Sequence, residues 1–275
     1  MSENEFKMIK AGIIGCGTIG TLIAEAILHR FPSAIELSAV YDIDKEKAIK
    51  LLKRLKADAH VLSRRQLIQK CGLIIEAASS SISYEVAKEA LEAGKDIMVM
   101  STGGLLGRPD IFKLAKKRKA RIYLPSGAIC GLDGVKSAMM AKVKSVTLTT
   151  KKPPAGLKDA PYVIEKNIDL DAIRKETVIF EGTAQAAVKG FPKNVNVSAT
   201  LSLCGLGAKD TKVRIIASPG CKSNIHQIEV EGDFGRLKAV TENAPMPDNP
   251  KTSYLAALSA IATLKNIISN TNIGN

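Results

Sequence analysis

The chain has 275 residues, long for one domain and comfortable for two. With 45% apolar and 24% charged residues and only 11 prolines, it has the composition of an ordinary folded protein, which excludes disordered and collagen-like classes. The 40 Lys and Arg against 27 Asp and Glu give a formal charge of +13, the balance of a nucleic-acid binder, but the absence of tryptophan and an aromatic content of 4% leave few platforms for stacking bases.

In chain order, the first half alternates short β-branched runs with helical patterns, as a parallel sheet with crossover helices requires. Ile9 to Ile14 reads as a strand, Thr18 to Arg30 as a helix, Ile35 to Tyr41 as a strand and Lys45 to Leu55 as a lysine-rich helix. The apolar run Leu73 to Ala77, the helix Ser83 to Ala93, the strand Ile97 to Met100, the helix Pro109 to Lys119 and the strand Ile122 to Leu124 complete a doubly wound α/β Rossmann unit over residues 1–125. The densest basic run, Lys116 to Arg121, closes one of these helices, where cations favour the helix dipole. We therefore read it as a solvated helix end and expect no nucleic-acid partner.

Past Pro125 the strands lengthen, alternate polar with apolar residues and pair without a helix between every two. Ser145 to Thr150, Glu176 to Glu181, Thr211 to Ala217, Ile225 to Glu231 and Arg236 to Thr241 read as a mostly antiparallel sheet with one buried face. The last two flank a turn at Gly232-Asp233-Phe234-Gly235. Helices are expected at Leu132 to Lys142, Ala184 to Lys189 and Val195 to Leu203, making residues 126–244 a second, α+β domain that carries catalysis and oligomerisation. A final amphipathic helix over Thr252 to Ile268, announced by Pro245, Pro247 and Pro250, packs on one domain or the other. No apolar run reaches the roughly 18 to 20 residues that span a bilayer, and the opening MSENEFKMIK is polar where a signal peptide would be apolar, so the expected location is the cytoplasm. Five cysteines, odd in number and without a C-x-x-C pair, argue against a disulfide framework or a structural zinc, and no metal is expected.

Gly15-Cys16-Gly17-Thr18-Ile19-Gly20 is a G-x-G-x-x-G directly after a strand and opening a helix, the context that a dinucleotide site demands. Gly15 makes the tight turn, Gly17 lets backbone approach a pyrophosphate, and Gly20 lets helix and strand lie close, with unpaired N–H groups at the helix start for phosphate. Asp42 follows about 20 residues on, at the end of the second strand, where an acid holds the ribose hydroxyls. Its charge favours NAD over NADP, while Lys45 and Lys47 nearby leave NADP open. Thr18, Ile19 and Ala78 complete the expected cofactor contacts in this half.

Of the three histidines, His29 falls near the end of the first helix and His60 in a connecting segment. His226 stands on a strand where strict alternation puts Asn224, His226, Ile228 and Val230 on one face. Desolvation there lowers its proton affinity and keeps a neutral imidazole available as a base, although a core histidine bonded to a carbonyl fits the same pattern. Cys130 and Cys204 read as small core residues. Ser126 to Gly134 joins the Rossmann unit to the next helix, at the edge where open α/β sheets bind ligands. Asn194 and Asn196 open the helix ending at Leu203, as caps or as partners of a nicotinamide carboxamide.

Taken in order, GCGTIG at 15–20, AVYDID at 39–44, SGAICGLDGVKSA at 126–138, TTKKPPAGL at 149–157, FEGTAQAAVKGFPKNVNVSATLSL at 180–203, SNIHQIEVEGDFG at 223–235 and NPKTSYLAALSAIATLK at 249–265 resemble the L-aspartate dehydrogenases of archaea and bacteria. The resemblance covers nearly the whole chain, and its second-half segments are far more specific than the glycine loop. It implies oxidative deamination of L-aspartate to iminoaspartate, which hydrolyses to oxaloacetate and ammonia, with NAD or NADP as hydride acceptor, and a place in supplying iminoaspartate for NAD synthesis. The family's active-site histidine falls on His226, its cofactor-binding alanine on Ala128 and its cofactor-binding asparagine on Asn194 or Asn196. Cys130 departs from the glycine expected there.

A substrate with two carboxylates needs cationic or amide partners. Lys136, Lys151 and Lys193 are candidates by position, as are the backbone groups of Thr102 and Gly103, with solvated surface lysine the competing reading for each lysine. Rival functions are a same-fold reductase or dehydrogenase of another small acid, resembling dihydrodipicolinate reductase or homoserine dehydrogenase, and an NAD-binding sensor without catalysis. The open face of the second sheet suggests a homodimer.

Overall fold

Buried β-branched residues flanked by helices that cap themselves locally account for the first sheet. The strands are β1 (Ile9–Ile14), β2 (Ile35–Tyr41), β3 (His60–Val61), β4 (Leu73–Glu76), β5 (Asp96–Val99) and β6 (Ile122–Tyr123), and the intervening helices are α1 (Thr18–Arg30), α2 (Lys45–Leu55), α3 (Arg64–Lys70), α4 (Ser80–Glu92) and α5 (Pro109–Arg118). The order β3-β2-β1-β4-β5-β6, parallel throughout, is that of the doubly wound dinucleotide fold. Asp44 caps α2 through the Glu46 N–H, and Ser63 with Gln66 forms a reciprocal capping box on α3. The basic run ends α5 with Lys116, Lys117 and Arg118 in the last turn and Lys119 in a left-handed cap.

This computed structural model describes residues 8–192, 195–246, 249–271 and 273–274, so Lys193, Asn194 and Pro247 lie outside the described residues. Two compact units emerge, one of residues up to Pro125 together with Ala260–Thr271, the other of Ser126–Ser259 with the few residues beyond Thr271. In the first unit Ile13, Ile23, Ile27, Leu37, Leu73, Ile75 and Met98 form a core that Ala260 and Leu264 of the last helix complete.

The second unit is built on β7 (Val143–Lys152), β8 (Thr177–Thr183), β9 (Thr211–Ala217), β10 (Asn224–Gly232) and β11 (Gly235–Asn243), in the order β11-β10-β7-β9-β8. Three of its pairings are antiparallel and the central β7·β9 pair is parallel, so the sheet is mixed. Helices α6 (Leu132–Ala138), α7 (Pro161–Glu165), α8 (Ala184–Gly190) and α9 (Val195–Cys204) accompany it, followed by the hairpin of β12 (Pro245–Met246) and β13 (Asn249–Ser253) and by α10 (Tyr254–Ile268). Val146, Leu148, Val213, Ile215, Ile228 and Val230 from the sheet meet Val135, Ala184, Ala187, Val197 and Leu201 from the helices.

Several expectations change in detail. His60 opens β3 on the sheet edge, where a connecting segment was expected, and α3 follows it in a stretch too short to show a helical period. The helix from Leu132 stops at Ala138, because residues 139–142 must turn back into β7. Thr252 and Ser253, expected to open the last helix, belong instead to β13, and the helix starts at Tyr254. Cys130 is exposed, so it does not fill the core, while Cys204 is half-buried with its thiol directed at the Leu132 carbonyl.

The glycine loop rests on a backbone-to-backbone contact. Gly15 adopts φ +102°, and a Cβ on Gly20 would lie 1.9 Å from the Gly15 carbonyl oxygen, which no local adjustment relieves. Gly20→Ala should lower the unfolding free energy by about 1–3 kcal/mol, read as an earlier urea midpoint at unchanged slope, and should weaken nucleotide binding with it.

Candidate active site

Within the first unit, the end of β1 delivers the chain into the glycine loop, and the loop is tied to β2 by two N–H groups. The Gly15 N–H donates to the Tyr41 carbonyl at 2.8 Å and the Cys16 N–H donates to Asp42 Oδ2 at 2.7 Å. Asp42 also accepts from the Asp44 N–H at 2.9 Å, so its carboxylate is held in place with lone pairs left over. Burial and the Asp42 charge push the Cys16 thiol up to about 12, which makes it inert. Helix α1 begins at Thr18 with no side-chain cap on Gly17, and a Cβ built on Gly17 would meet nothing within 4 Å. Thr18, Ile19 and Gly20 thus form the first turn of an uncapped 13-residue helix facing open space, the arrangement that receives a phosphate.

A cavity of about 450 Å³ lies beside this loop, lined among others by Gly15, Gly17, Asp42, Ile43, Lys47 and Ala78. Ile43 and Ala78, both exposed, supply apolar surface of the kind that takes a nucleobase, and Asp42 supplies acceptors for ribose hydroxyls. Lys47 and Arg64 line the same cavity as cations. The open space over Gly17, the cavity and the held carboxylate fit a dinucleotide.

One residue of this unit escaped the sequence reading. Glu76, fully buried at the end of β4, accepts the Ala78 N–H at 2.8 Å and the Ser101 N–H at 3.0 Å. Burial raises its proton affinity and the backbone donors oppose that rise. Its carboxylate thereby ties together the segments that follow β4 and β5. A single acid closing the run Leu73-Ile74-Ile75-Glu76 was the available signal. Thr102 and Gly103 sit in a 3₁₀ turn at Thr102–Leu105, with Thr102 buried.

In the second unit the site centres on β10. Its burial alternates so that His226, Ile228 and Val230 are covered, as the sequence pattern requires. Thr150 stands opposite His226 on β7, and its hydroxyl lies 3.0 Å from Nδ1. The ring is 4% exposed. Desolvation, assisted by the positive charge of Lys152, lowers its pKa from 6.5 to about 3, so the imidazole is neutral at any working pH.

On the other side of β10, Thr241 of β11 is paired with His226 and donates to the Ala128 carbonyl at 2.9 Å. Asn243 Nδ2 reaches the same carbonyl at 3.1 Å, and the Gly127 N–H donates to Ser259 at 2.9 Å. Ala128 is thereby lashed beside the histidine strand. Asn243 is buried, and its Oδ1 finds no donor among the described residues, a vacancy that costs about 1–3 kcal/mol unless a ligand fills it.

The candidate lysines divide. Lys151 points to the face opposite His226 and forms an ion pair with Glu176 at 2.8 Å. Lys136 is exposed on α6, where its charge acts on Cys204. Lys193 and Asn194 lie outside the described residues, and Asn196 is exposed in the first turn of α9. The buried lysine on the His226 face is Lys152, which the sequence reading passed over in favour of its neighbour.

Comparison with known proteins agrees with both halves. Residues 133–267 match the family described as "Aspartate dehydrogenase, C-terminal", and residues 15–125 match "Homoserine dehydrogenase, NAD binding domain". A protein of Methanosarcina barkeri named L-aspartate dehydrogenase is 49% identical over 97% of this chain and 100% of its own length. One of the same name from Nitrosopumilus maritimus is 42% identical over 96% of this chain and 98% of its own. The crystal structure of aspartate dehydrogenase from Thermotoga maritima superposes with a TM-score of 0.75 at 28% identity, covering 97% of this chain and 99% of that one. With near full-length identity approaching one half and the same two-unit fold, the chain belongs to the L-aspartate dehydrogenase family.

Proposed function

We propose that this protein catalyses the NAD(P)-dependent oxidative deamination of L-aspartate to iminoaspartate, which water converts to oxaloacetate and ammonia. The observation that carries this reading is His226, a neutral imidazole anchored at Nδ1 by Thr150 on the buried face of the second unit. When bound at the glycine loop of the first unit, the nicotinamide dinucleotide supplies the hydride acceptor. Gly17, the α1 N-terminus, Asp42 and Ala78 are the groups we assign to hold it, with Ala128, Asn194 and Asn196 assigned from the second unit. Asp42 favours NAD, and Lys47 and Arg64 on the same cavity leave room for the added phosphate of NADP.

The α-carbon releases hydride only when the substrate nitrogen offers its lone pair, so that nitrogen must be an uncharged amine. With Nδ1–H donating to the Thr150 hydroxyl, His226 presents Nε2 as the acceptor that takes the proton. The same nitrogen then activates the water that adds to the imine. Since His226 stays neutral above about pH 3, the basic form is always the resting form. A same-fold dehydrogenase of another acid is disfavoured, because residues 133–267, His226 among them, match the C-terminal family model of aspartate dehydrogenase.

Among the described residues no helix is long and apolar enough to cross a membrane, in keeping with a cytoplasmic enzyme. We assign its product to nicotinamide cofactor synthesis and its quaternary state to a homodimer. The dimer reading rests on the sheet face turned away from the helices, where Val178 and Val240 stand exposed.

With L-aspartate and NAD at alkaline pH, the wild type should form NADH, and His226→Ala should lose about 10²–10⁴-fold in kcat while its NAD affinity is unchanged. Equal rates in the two proteins would remove His226 from the chemistry. The folded pKa of His226 lies below its unfolded value of 6.5, so the unfolded chain takes up an extra proton as pH drops. Stability is therefore complete above pH 6.5 and declines toward pH 3; urea unfolding should show about 2 kcal/mol lost by pH 5 from this group, a loss absent in His226→Gln. Light scattering should give twice the chain mass, and Val240→Glu should shift it toward the monomer.

A further inference from the structure

The rung beside His226 carries two polar groups that the reaction above leaves unused. Lys152 is 8% exposed, on the same face of β7 as Thr150. Its stem packs by the turn at Gly156, its carbonyl is taken by the Ser218 N–H at 2.8 Å, and its charge is felt at His226. One strand further across, Asn224 and Asn243 are paired by register. Three acceptors, the Ala128 and Asn224 carbonyls and the Thr241 hydroxyl, surround the two N–H donors of the Asn243 amide nitrogen, whereas its oxygen has no donor among the described residues. The three acceptors around Nδ2 fix which end of the amide is which.

A lysine buried on the face that carries His226 and a buried amide oxygen with no donor among the described residues both carry a desolvation cost. On one sheet face, Lys152 on β7 and Asn243 on β11 flank the strand that carries the neutral base, and they complement an amino acid: a cation for a carboxylate and an acceptor for an amine N–H. We propose that Lys152 and Asn243 hold the substrate, Lys152 pairing with a carboxylate and Asn243 Oδ1 accepting a hydrogen bond from the α-amine. The amine is then presented beside His226, and the carboxylate offsets the positive charge that disfavours a proton on the ring. Lys151, one residue earlier, stands on the other face of β7, where it pairs with Glu176. The assignment rests on the aspartate dehydrogenase reading for the identity of the substrate, not for the presence of the two groups.

The experiment compares wild type, Lys152→Met, Lys152→Arg and Asn243→Ser, as full-length protein, in the KM for L-aspartate, the KM for NAD and inhibition by succinate, a dicarboxylate without the amine. Lys152→Met keeps length and bulk. It should raise the aspartate KM and the succinate inhibition constant together by 100-fold or more with the NAD KM unchanged, and Lys152→Arg should recover part of both. Asn243→Ser should raise the aspartate KM at least tenfold and leave succinate unaffected. Changes below threefold for aspartate and succinate in Lys152→Met would overturn the carboxylate contact, and equal losses of aspartate and succinate in Asn243→Ser would overturn the amine contact. If Lys152→Met does not fold, Lys152→Gln carries the same comparison. Should the wild type turn over no L-aspartate, the functional reading fails on that result alone, and calorimetric succinate binding, lost in Lys152→Met and kept in Lys152→Arg, still decides the role of Lys152.

Discussion

A histidine can be packed on an apolar sheet face only as the neutral ring, and one of its nitrogens must then find a partner inside the protein. That constraint organises the second unit. Thr150 meets Nδ1 from β7, and β10 is paired on both sides, with β7 and with β11. Thr241 and Asn243 extend the same polar row to the Ala128 carbonyl, which fixes the segment after Pro125 over the histidine strand. Removing water from the ring keeps its resting form unprotonated; the same removal makes every nearby charge count for more. Lys152 and the bare oxygen of Asn243 gain their chemical meaning from that environment.

The first unit works by an opposite device. The groups we assign to ligand binding there are backbone atoms left open by the lack of side chains, and the buried carboxylate of Glu76 is satisfied by backbone and hydroxyl donors of the Ala78 and Ser101 segments. Rigidity in the glycine loop comes from two N–H bonds to the end of β2, one of them to Asp42 itself. Asp42, the carboxylate we assign to the ribose, is therefore also a group that shapes the glycine loop.

What was legible beforehand follows from how far apart in sequence the causes lie. The glycine loop, Asp42, the long helices and the buried face of β10 each follow from spacing within a few residues or within one βαβ unit, and they stand where periodicity put them. Lys152 was missed because Thr149-Thr150-Lys151-Lys152 offers one lysine to each face, and only pairing with a strand some 75 residues away tells which is buried. Glu76 was hidden as the polar end of an apolar run, its partners being a neighbouring turn and a residue 25 positions on. Asn243 closes a strand of mostly exposed polar residues, and its burial comes from the Ala128 segment more than 100 positions earlier. Cys130 went the other way, a small residue of core type left outside because the turn that carries it lies over the sheet edge.

The closing helix also bears on the order in which the molecule is made. Ala260 and Leu264 fill the core formed by β1, α1 and β2, at the far end of the chain from those elements. A nascent chain can thread and pair the first sheet early, yet its hydrophobic interior lacks these two side chains until α10 has been made. Folding of the first unit thus waits on a segment more than 200 residues downstream of α1, and a lesion in α10 would show itself as a defect in the sheet that opens the fold.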